Sequence, residues 1–361
     1  MGAVGQSRLV ELVELPTQPA GVPWPTTEWP TGSVPSGVDL DGLMDRMFDD
    51  TGPLGLTFAV LVIHGGRLVF ERYAGELAHF DRPSDPVGAE SRLISWSMAK
   101  SMLHAVVGML VAEGRLNLDV PVNVPEWSPP GDPRGAITLR QMLAMRDGLA
   151  WAEVYEDASG SDVIEMLFGS GQSDIAHFAA DRPLAVPPGT RFNYSSGTSN
   201  IISRVVAQVV GTGEAYRAFL SERLFGPIGM TSAEPEFDPT GIWIASSNVM
   251  ATARDFARFG LLYLRGGVWD GTRLLPEGWV DYARTMVSDD PDDGPYGAHW
   301  WGLAGDQLGT FRASGYEGQS ILISPCHDVV MVRLGKTPES DEGKAALDRW
   351  RRDFLEAFAP A

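Results

Sequence analysis

Ser97 and Lys100 lie three positions apart in this 361-residue chain. They are the two residues whose types and spacing best suit a nucleophile and a base. Residues 97–113 are mostly apolar and end before Gly114, a pattern typical of a buried helix. At such spacing both side chains share one face of the first turn. A lysine held among apolar residues loses stabilisation of its charge and can act as a general base near neutral pH. The pair is therefore a candidate nucleophile and base.

A purely structural interpretation of this pair is a helix cap followed by a surface lysine. The flanking residues weaken it, because an unpaired lysine buried among apolar side chains is costly. The flanking residues with apolar side chains are Ile94, Trp96, Met98, Ala99, Met102 and Leu103.

Two further segments place polar groups at turns. Tyr194 follows a Pro-Pro-Gly-Thr turn and precedes a predicted helix, so its hydroxyl can project into a cleft or pack beneath the turn. Gly315 and Tyr316 end a predicted strand. A glycine-rich strand end lets backbone N–H groups approach a ligand, although a plain hairpin has the same pattern.

The predicted elements that must position these residues belong to an α+β fold. A helix over 38–50, a hairpin centred on residues 64–66 and the buried helix come first, and only helical patterns follow between 115 and 235. Successive strands and a terminal amphipathic helix close the chain. An antiparallel sheet built from both chain ends, flanked by helices, with an inserted helical lobe, fits this order.

The predicted organisation has three parts. Residues 1–36, rich in proline and tryptophan, form an extended N-terminal arm. Residues 37–114 and 236–361 form the α/β lobe with the antiparallel sheet. Residues 115–235 form the helical lobe, and a cleft should lie between the two lobes.

Composition excludes several classes of protein. The chain is 44% hydrophobic and 21% charged, unlike a disordered chain, and no apolar stretch is long enough for a membrane span. The net charge of −19 disfavours nucleic acid and anionic membranes as partners. A single cysteine and the lack of a signal-peptide pattern favour a cytoplasmic protein, as a monomer or homodimer.

In their order along the chain, Ser-x-x-Lys, Tyr-x-Ser and the Ser-Gly strand end resemble the motifs of the serine β-lactamase and penicillin-binding-protein superfamily. The resemblance covers roughly residues 55–335. It is most marked towards the class C branch, with its family VIII esterases and nylon-oligomer amidases (6-aminohexanoate-dimer hydrolases). It implies a β-lactamase/transpeptidase-like α/β/α sandwich.

The same resemblance assigns roles by position. Ser97 would be the acylated nucleophile, Lys100 its base and Tyr194 a second acid/base group, with the backbone N–H groups of Ser97 and Tyr316 as the oxyanion hole. No metal or cofactor is implied. The residues expected to bind substrate are Tyr155, Ser196, Ser246, Trp301, Gly315 and Glu317.

Three positions depart from the family pattern. Ala313 stands where β-lactamases carry the lysine that binds the penicillin carboxylate, which argues against efficient β-lactam turnover. Glu317 and Ser246 stand where the nylon-oligomer amidase has a histidine and an asparagine, so acceptance of the aminohexanoate substrate is in question.

The function expected from these observations is hydrolysis of a small ester or amide through an acyl-enzyme on Ser97. Acyl transfer or transpeptidation through the same intermediate is the alternative. A non-enzymatic binding module is disfavoured, because both Ser97 and Lys100 are present. No Gly-x-Ser-x-Gly elbow occurs, and the six histidines are scattered rather than grouped as metal ligands.

Overall fold

The computed structural model describes residues 12–78, 81–155, 158–290 and 293–358. Residues 1–11 of the predicted arm and His79 lie outside this range. None of the helices in these ranges has the length and apolar run needed to cross a membrane. The helices are α1 (Asp41–Met47), α2 (Met98–Ala112), α3 (Leu139–Leu143), α4 (Asp162–Phe168), α5 (Ile175–Ala180), α6 (Ser196–Val210), α7 (Glu214–Leu220), α8 (Ala253–Leu264), α9 (Trp279–Arg284) and α10 (Asp341–Ala357).

Strands account for most of the remaining regular structure, and many are only two or three residues long. They are β1 (Leu56–His64), β2 (Arg67–Tyr73), β3 (Glu76–Leu77), β4 (Asp85–Pro86), β5 (Leu93–Ile94), β6 (Glu234–Pro235), β7 (Val249–Ala251), β8 (Val268–Trp269), β9 (Thr272–Arg273), β10 (Ser288–Asp290), β11 (Gly294–Tyr296), β12 (Trp301–Gly302), β13 (Phe311–Gly315), β14 (Gln319–Ser324) and β15 (Val329–Lys336).

An eight-stranded antiparallel sheet forms the centre of the molecule. Its strand order is β10-β11-β12-β13-β14-β15-β1-β2, so strands from the two ends of the chain meet at the β15–β1 pair. That pair runs from Leu56 opposite Lys336 to His64 opposite Val329. The predicted α+β class, with an antiparallel sheet built from both chain ends, is confirmed.

Side-chain alternation in β1 explains how helices cover both faces of this sheet. Leu61 and Ile63 belong to the core that α2 and α8 share with the sheet. Val60 and Val62 face the other way, into the core formed with α1 and α10. Because successive strand residues point to opposite faces, a strand apolar at every position must be covered on both sides.

Helices α3 to α7 form most of the segment predicted to be helical between residues 115 and 235. Helix α6 packs against α2, α3 and α5, which brings its N-terminus next to the start of α2. One short strand, β6, lies at the end of this segment and pairs with β7. Strands of two or three residues carry no periodicity, which is why the sequence does not reveal them.

The described part of the N-terminal arm runs along the body of the protein. Arg258 Nε donates to the carbonyl of Pro25 at 2.7 Å, and Trp269 Nε1 donates to Thr26 Oγ1 at 2.8 Å. The ring of Trp24 packs on that of Trp269, with centroids 5.0 Å apart. Buried donors on the body thus bond to a backbone carbonyl and a side-chain hydroxyl of an otherwise irregular segment.

Candidate active site

A strained turn presents Ser97 at the start of α2. Trp96 has φ = +42°, in the left-handed region that non-glycine residues rarely adopt. Ser97 is the N-cap residue of α2, yet its side chain makes no capping hydrogen bond. Serine at this position usually accepts a hydrogen bond from the first turn. Here the hydroxyl instead lies 2.9 Å from the Nζ of Lys100.

Lys100 is buried beneath Ser97, with 1% of its surface exposed. Its Nζ donates to Ser196 Oγ at 3.0 Å and to the backbone carbonyl of Ser246 at 2.9 Å. With Ser97 Oγ, these are three acceptors for the three N–H groups of an ammonium. The interpretation as a surface lysine therefore does not apply.

Burial lowers the pKa of Lys100 from 10.5 to about 8, although the charge of Glu153 acts in the opposite direction. The nearly complete burial of Lys100 removes the water that would stabilise the ammonium. A substantial fraction of the amine is consequently neutral near pH 8. A general base works best with a pKa close to the working pH.

Tyr194 lies against an aromatic wall beside this pair. Its ring centroid is 4.9 Å from Lys100 Nζ and 5.2 Å from the ring centroid of Trp301. Burial raises the pKa of Tyr194 well above its usual value, while hydrogen bonding to Ser97 and Trp301 lowers it. The hydroxyl thus stays protonated near neutral pH and lies next to the candidate nucleophile, where it can donate a proton.

Glu153 is a site residue that the sequence analysis missed. Its Oε1 accepts a hydrogen bond from Ser196 Oγ at 2.5 Å, and its Oε2 accepts one from the Ser196 backbone N–H at 2.8 Å. Trp151 Nε1 and the Tyr155 hydroxyl donate to the same carboxylate, at 2.5 and 2.6 Å. The alternating positions 151, 153 and 155 in an extended segment were the available signal.

Gly315 brings the end of β13 against the nucleophile turn. A Cβ at this position would lie 2.5 Å from the carbonyl oxygen of Ser95 and 3.1 Å from the Cβ of Trp96, so only glycine fits. The next residue, Tyr316, packs its ring edge-on to Trp96, with centroids 5.8 Å apart. Its ring is therefore held against the start of α2, and the part of its backbone N–H group in an oxyanion hole stays a prediction.

An open cleft of about 430 Å³ lies over Ser97. The predicted site residues Tyr155, Tyr194, Trp301 and Gly315 line it together with Tyr316. The rings of Tyr155 and Tyr316 meet with centroids 4.7 Å apart and bound the cleft beside the nucleophile. A small organic substrate fits such a space.

Two other predicted substrate-binding residues, Ser196 and Ser246, are fully buried beneath the cleft. Both contact Lys100, and Ser246 is held in turn by Asn200, whose Oδ1 accepts its N–H at 3.1 Å. Asn200 Nδ2 also donates to Ser246 Oγ, at 3.1 Å. The structure therefore places these residues where they position the lysine.

Glu317 is held by its main chain, next to the cleft lining. It has φ = +58°, and its carbonyl accepts from Arg333 Nη1 at 2.8 Å and from the Thr337 N–H at 2.9 Å. Burial raises the pKa of its carboxyl group. A role for this side chain in binding substrate remains a prediction.

Cations are present in the cleft despite the alanine at position 313. Ala313 is 1% exposed and belongs to the core, but Arg312, Lys344 and Arg351 line the cleft. Arg312 and Ser314 share the opposite face of β13, since Arg312 Nε donates to Ser314 Oγ at 3.0 Å. The cations of the cleft lining therefore stand at other positions, while the side chain of Ala313 lies in the core.

Comparisons with known proteins place the whole chain among known relatives. The family described as Beta-lactamase matches residues 54–356. The chain is 30% identical over 327 residues to the 6-aminohexanoate-dimer hydrolase of Paenarthrobacter ureafaciens, an alignment that covers 84% of this chain and 79% of that protein.

Solved structures show the same fold. A Bacillus anthracis protein proposed to be a 6-aminohexanoate-dimer hydrolase superposes with a TM-score of 0.74 at 22% identity, covering 96% of this chain and 91% of that one. A penicillin-binding-protein homologue from Caulobacter crescentus superposes with a TM-score of 0.65 at 18% identity, covering 90% and 99%. With the sequence match across most of its length, the chain belongs to the Beta-lactamase family.

Proposed function

We propose that this protein is a serine hydrolase that cleaves a small ester or amide through an acyl-enzyme on Ser97. The observation that carries the proposal is the contact between Ser97 Oγ and the buried Nζ of Lys100, 2.9 Å long, with the pKa of the lysine lowered to about 8. A nucleophile in direct contact with a base of matched pKa is the arrangement that acyl transfer needs.

The hydrogen bonds around Lys100 determine where its lone pair faces when the amine is neutral. The carbonyl of Ser246 can only accept, and the hydroxyl of Ser196 donates its proton to Glu153. Both therefore accept N–H groups from Lys100. The partner left to donate to the lone pair is the hydroxyl of Ser97, so the neutral lysine is oriented to remove that proton.

The reaction then proceeds in two similar steps, formation of the acyl-enzyme and its hydrolysis. Ser97 Oγ attacks the substrate carbonyl carbon while Lys100 takes its proton, and the negative charge forms on the carbonyl oxygen near the N–H groups of Ser97 and Tyr316. The bond to the leaving group breaks, and Tyr194 or the protonated lysine gives that group its proton. Water repeats the sequence on the ester of Ser97 and releases the acid.

The test is to identify the acylated residue. The protein is treated with a fluorophosphonate or a slowly hydrolysed ester, and the adduct is located by peptide mass spectrometry. One adduct on Ser97 is expected, together with a loss of about 10⁴-fold or more in turnover for Ser97→Ala, whose fold should be intact. An adduct on Ser101 or Ser196 would overturn the assignment. Product analysis with an added amine distinguishes hydrolysis from acyl transfer.

A further inference from the structure

We propose that Arg333 is a positioning residue for the turn Tyr316–Gly318, which follows β13 and carries the Tyr316 N–H group of the proposed oxyanion hole. The inference rests on the proposed function, in which that N–H group stabilises the charge on the substrate carbonyl oxygen. Tyr316 and Gly318 line the cleft, whereas Arg333 is fully buried. Arg333 therefore acts through the turn and does not touch the substrate.

Arg333 is a cation on an otherwise apolar face of β15. Val329 and Met331 point from this strand into the core formed with α1 and α10, and Arg333 stands at the next position of the same alternation. Burial, and then the charge of Arg351, lower the pKa of Arg333 to about 9. An apolar residue at such a site is often as stabilising as a buried charge, or more so. Stability alone therefore does not account for the arginine.

The guanidinium group of Arg333 joins the turn to the beginning of β1. Its Nη1 donates to the carbonyl of Glu317 at 2.8 Å. Its Nη2 donates to the carbonyls of Leu54 and Leu56, at 3.2 and 3.1 Å, and to Thr57 Oγ1 at 3.2 Å. Because β1 lies between β15 and β2, these contacts fix the turn to the central sheet.

Two glycines make room for this guanidinium group. A Cβ on Gly318 would lie 2.8 Å from Arg333 Nη1, and a Cβ on Gly335 would lie 2.6 Å from Arg333 Nη2. Gly318 also has φ = +80°, a conformation that glycine adopts without a steric penalty. The space for the arginine thus depends on the turn itself and on the strand that carries the arginine.

The conformation of the turn has to be held from outside. Glu317 has φ = +58°, and a non-glycine residue stays in that region only where its surroundings fix it. Its carbonyl accepts from Arg333 and from the Thr337 N–H, and Gln319 Nε2 donates to the carbonyl of Tyr316 at 3.0 Å. Arg333 supplies the charged donor, which forms the stronger kind of hydrogen bond. The two peptide groups that follow Tyr316 are thereby fixed, and with them the direction of its own N–H group.

The first experiment measures kcat and KM for a neutral p-nitrophenyl ester. Arg333→Met should lower kcat about tenfold to a hundredfold and leave KM nearly unchanged, because an oxyanion hole acts mainly in the transition state. Arg333→Lys should restore part of kcat, since its ammonium can still donate to the Glu317 carbonyl. If Arg333→Met keeps the wild-type kcat, or only raises KM, the inference is wrong.

Arg265→Met is the matched control for losing a buried arginine. Arg265 lies at the end of α8 and donates to Gln18 and Asp328. Thermal unfolding shows how far each variant is destabilised, and Arg265→Met should keep the wild-type kcat. An equal loss of kcat in Arg265→Met and Arg333→Met would mean that general destabilisation, and not the position of the turn, lowers the rate.

A boronic acid tests the oxyanion hole itself. Ser97 Oγ adds to the boron of phenylboronic acid while Lys100 takes its proton, which leaves a tetrahedral, negatively charged boron. Its affinity should weaken in Arg333→Met by about the same factor as kcat/KM falls. Unchanged affinity in Arg333→Met would overturn the inference.

Hydrogen exchange keeps this inference separate from the proposed function. In Arg333→Met, peptides that contain Tyr316–Gly318 should exchange at least about tenfold faster than in the wild type, with peptides of α6 unchanged. Arg333→Lys should lie between the two, and it carries the comparison if Arg333→Met does not fold. Equal exchange of the turn in variant and wild type would overturn the inference, whatever the ester assays show. Lack of ester hydrolysis by the wild type would instead count against the proposed function.

Discussion

The carboxylate of Glu153 and the amine of Lys100 are joined through one hydroxyl group, that of Ser196. Glu153 Oε1 lies 2.5 Å from Ser196 Oγ, which in turn lies 3.0 Å from Lys100 Nζ. Because the Ser196 hydroxyl donates its hydrogen bond to Glu153, its oxygen is left to accept one from the lysine. The negative charge of Glu153 also raises the pKa of Lys100, against the larger effect of burial.

The rate of acylation should therefore rise with pH as Lys100 loses its proton. We expect kcat/KM for a neutral p-nitrophenyl ester to increase through an apparent pKa near 8. Only the neutral amine can accept the Ser97 proton. The rate should therefore be low at pH values below the pKa and reach its maximum above it. Single-turnover acylation rates across the pH range measure this directly. A rate that falls with increasing pH in the same range would contradict the role of Lys100.

Glu153→Gln should move this profile to lower pH. The change removes the charge that stabilises the Lys100 ammonium, so the pKa falls and the amine becomes neutral at lower pH. The plateau rate should also fall, since glutamine cannot accept all the hydrogen bonds that the carboxylate takes from Trp151, Tyr155 and Ser196. Glu214→Gln, at an exposed position, is the control. A profile shifted to higher pH would show that the charge of Glu153 does not stabilise the Lys100 ammonium.

Lys100→Met should stabilise the fold while abolishing activity. The pKa of Lys100 is lowered from 10.5 to about 8, a difference equivalent to about 3 kcal/mol against the buried ammonium. Below pH 8 both folded and unfolded states carry the proton, so the folded state bears this cost in full. Loss of hydrogen bonds offsets part of the gain. We expect a free energy of unfolding about 1–3 kcal/mol higher at pH 7.

Denaturant unfolding at several pH values tests this expectation. Wild-type stability should rise between pH 8 and 10.5, where the unfolded state holds a proton that the folded state has lost, and Lys100→Met should lack this component. Lys336→Met changes an exposed lysine and serves as control. A Lys100→Met protein less stable than wild type at pH 7 would show that packing, rather than charge burial, dominates at this position.

Substitutions of Tyr194 and Lys100 should be strongly non-additive. Both side chains adjoin Ser97. Once Lys100→Ala has removed the base, further loss of the Tyr194 hydroxyl should therefore lower the rate only slightly. Tyr194→Phe alone keeps the ring against Trp301 and should reduce kcat more than it changes KM. Tyr282→Phe, a tyrosine away from the cleft, is the control. If Tyr194→Phe retains more than about half the wild-type rate, the tyrosine is structural.

Short activated esters should be better substrates than β-lactams. The lysine that binds the β-lactam carboxylate in the family is replaced by Ala313, whose side chain is buried on the face of β13 opposite to Arg312 and Ser314. We expect kcat/KM for p-nitrophenyl acetate or butyrate to exceed that for any β-lactam by at least about a hundredfold. Parallel assays with nitrocefin check it, and nitrocefin as the better substrate would favour a β-lactamase.

Local patterns in the sequence were sufficient for the fold class and for the pairing of Ser97 with Lys100. Two-residue alternation and helical spacing depend on the nearest few residues, so the long strands β1, β14 and β15 and the helices α2, α6, α8 and α10 could be predicted. The short strands between them could not, because their hydrogen bonds depend on partners distant in the chain.

The sequence by itself determined which residues could react. Only the tertiary structure decided their burial, their hydrogen-bond partners and hence their pKa values. The pKa of Lys100 is lowered because the packing of α2 and α6 excludes water from its amine, which Ser196 and Ser246 contact from distant segments. The contacts of Glu153 with Ser196 and Tyr155 have the same origin. Burial and charge proximity depend on long-range packing, which no local spacing records.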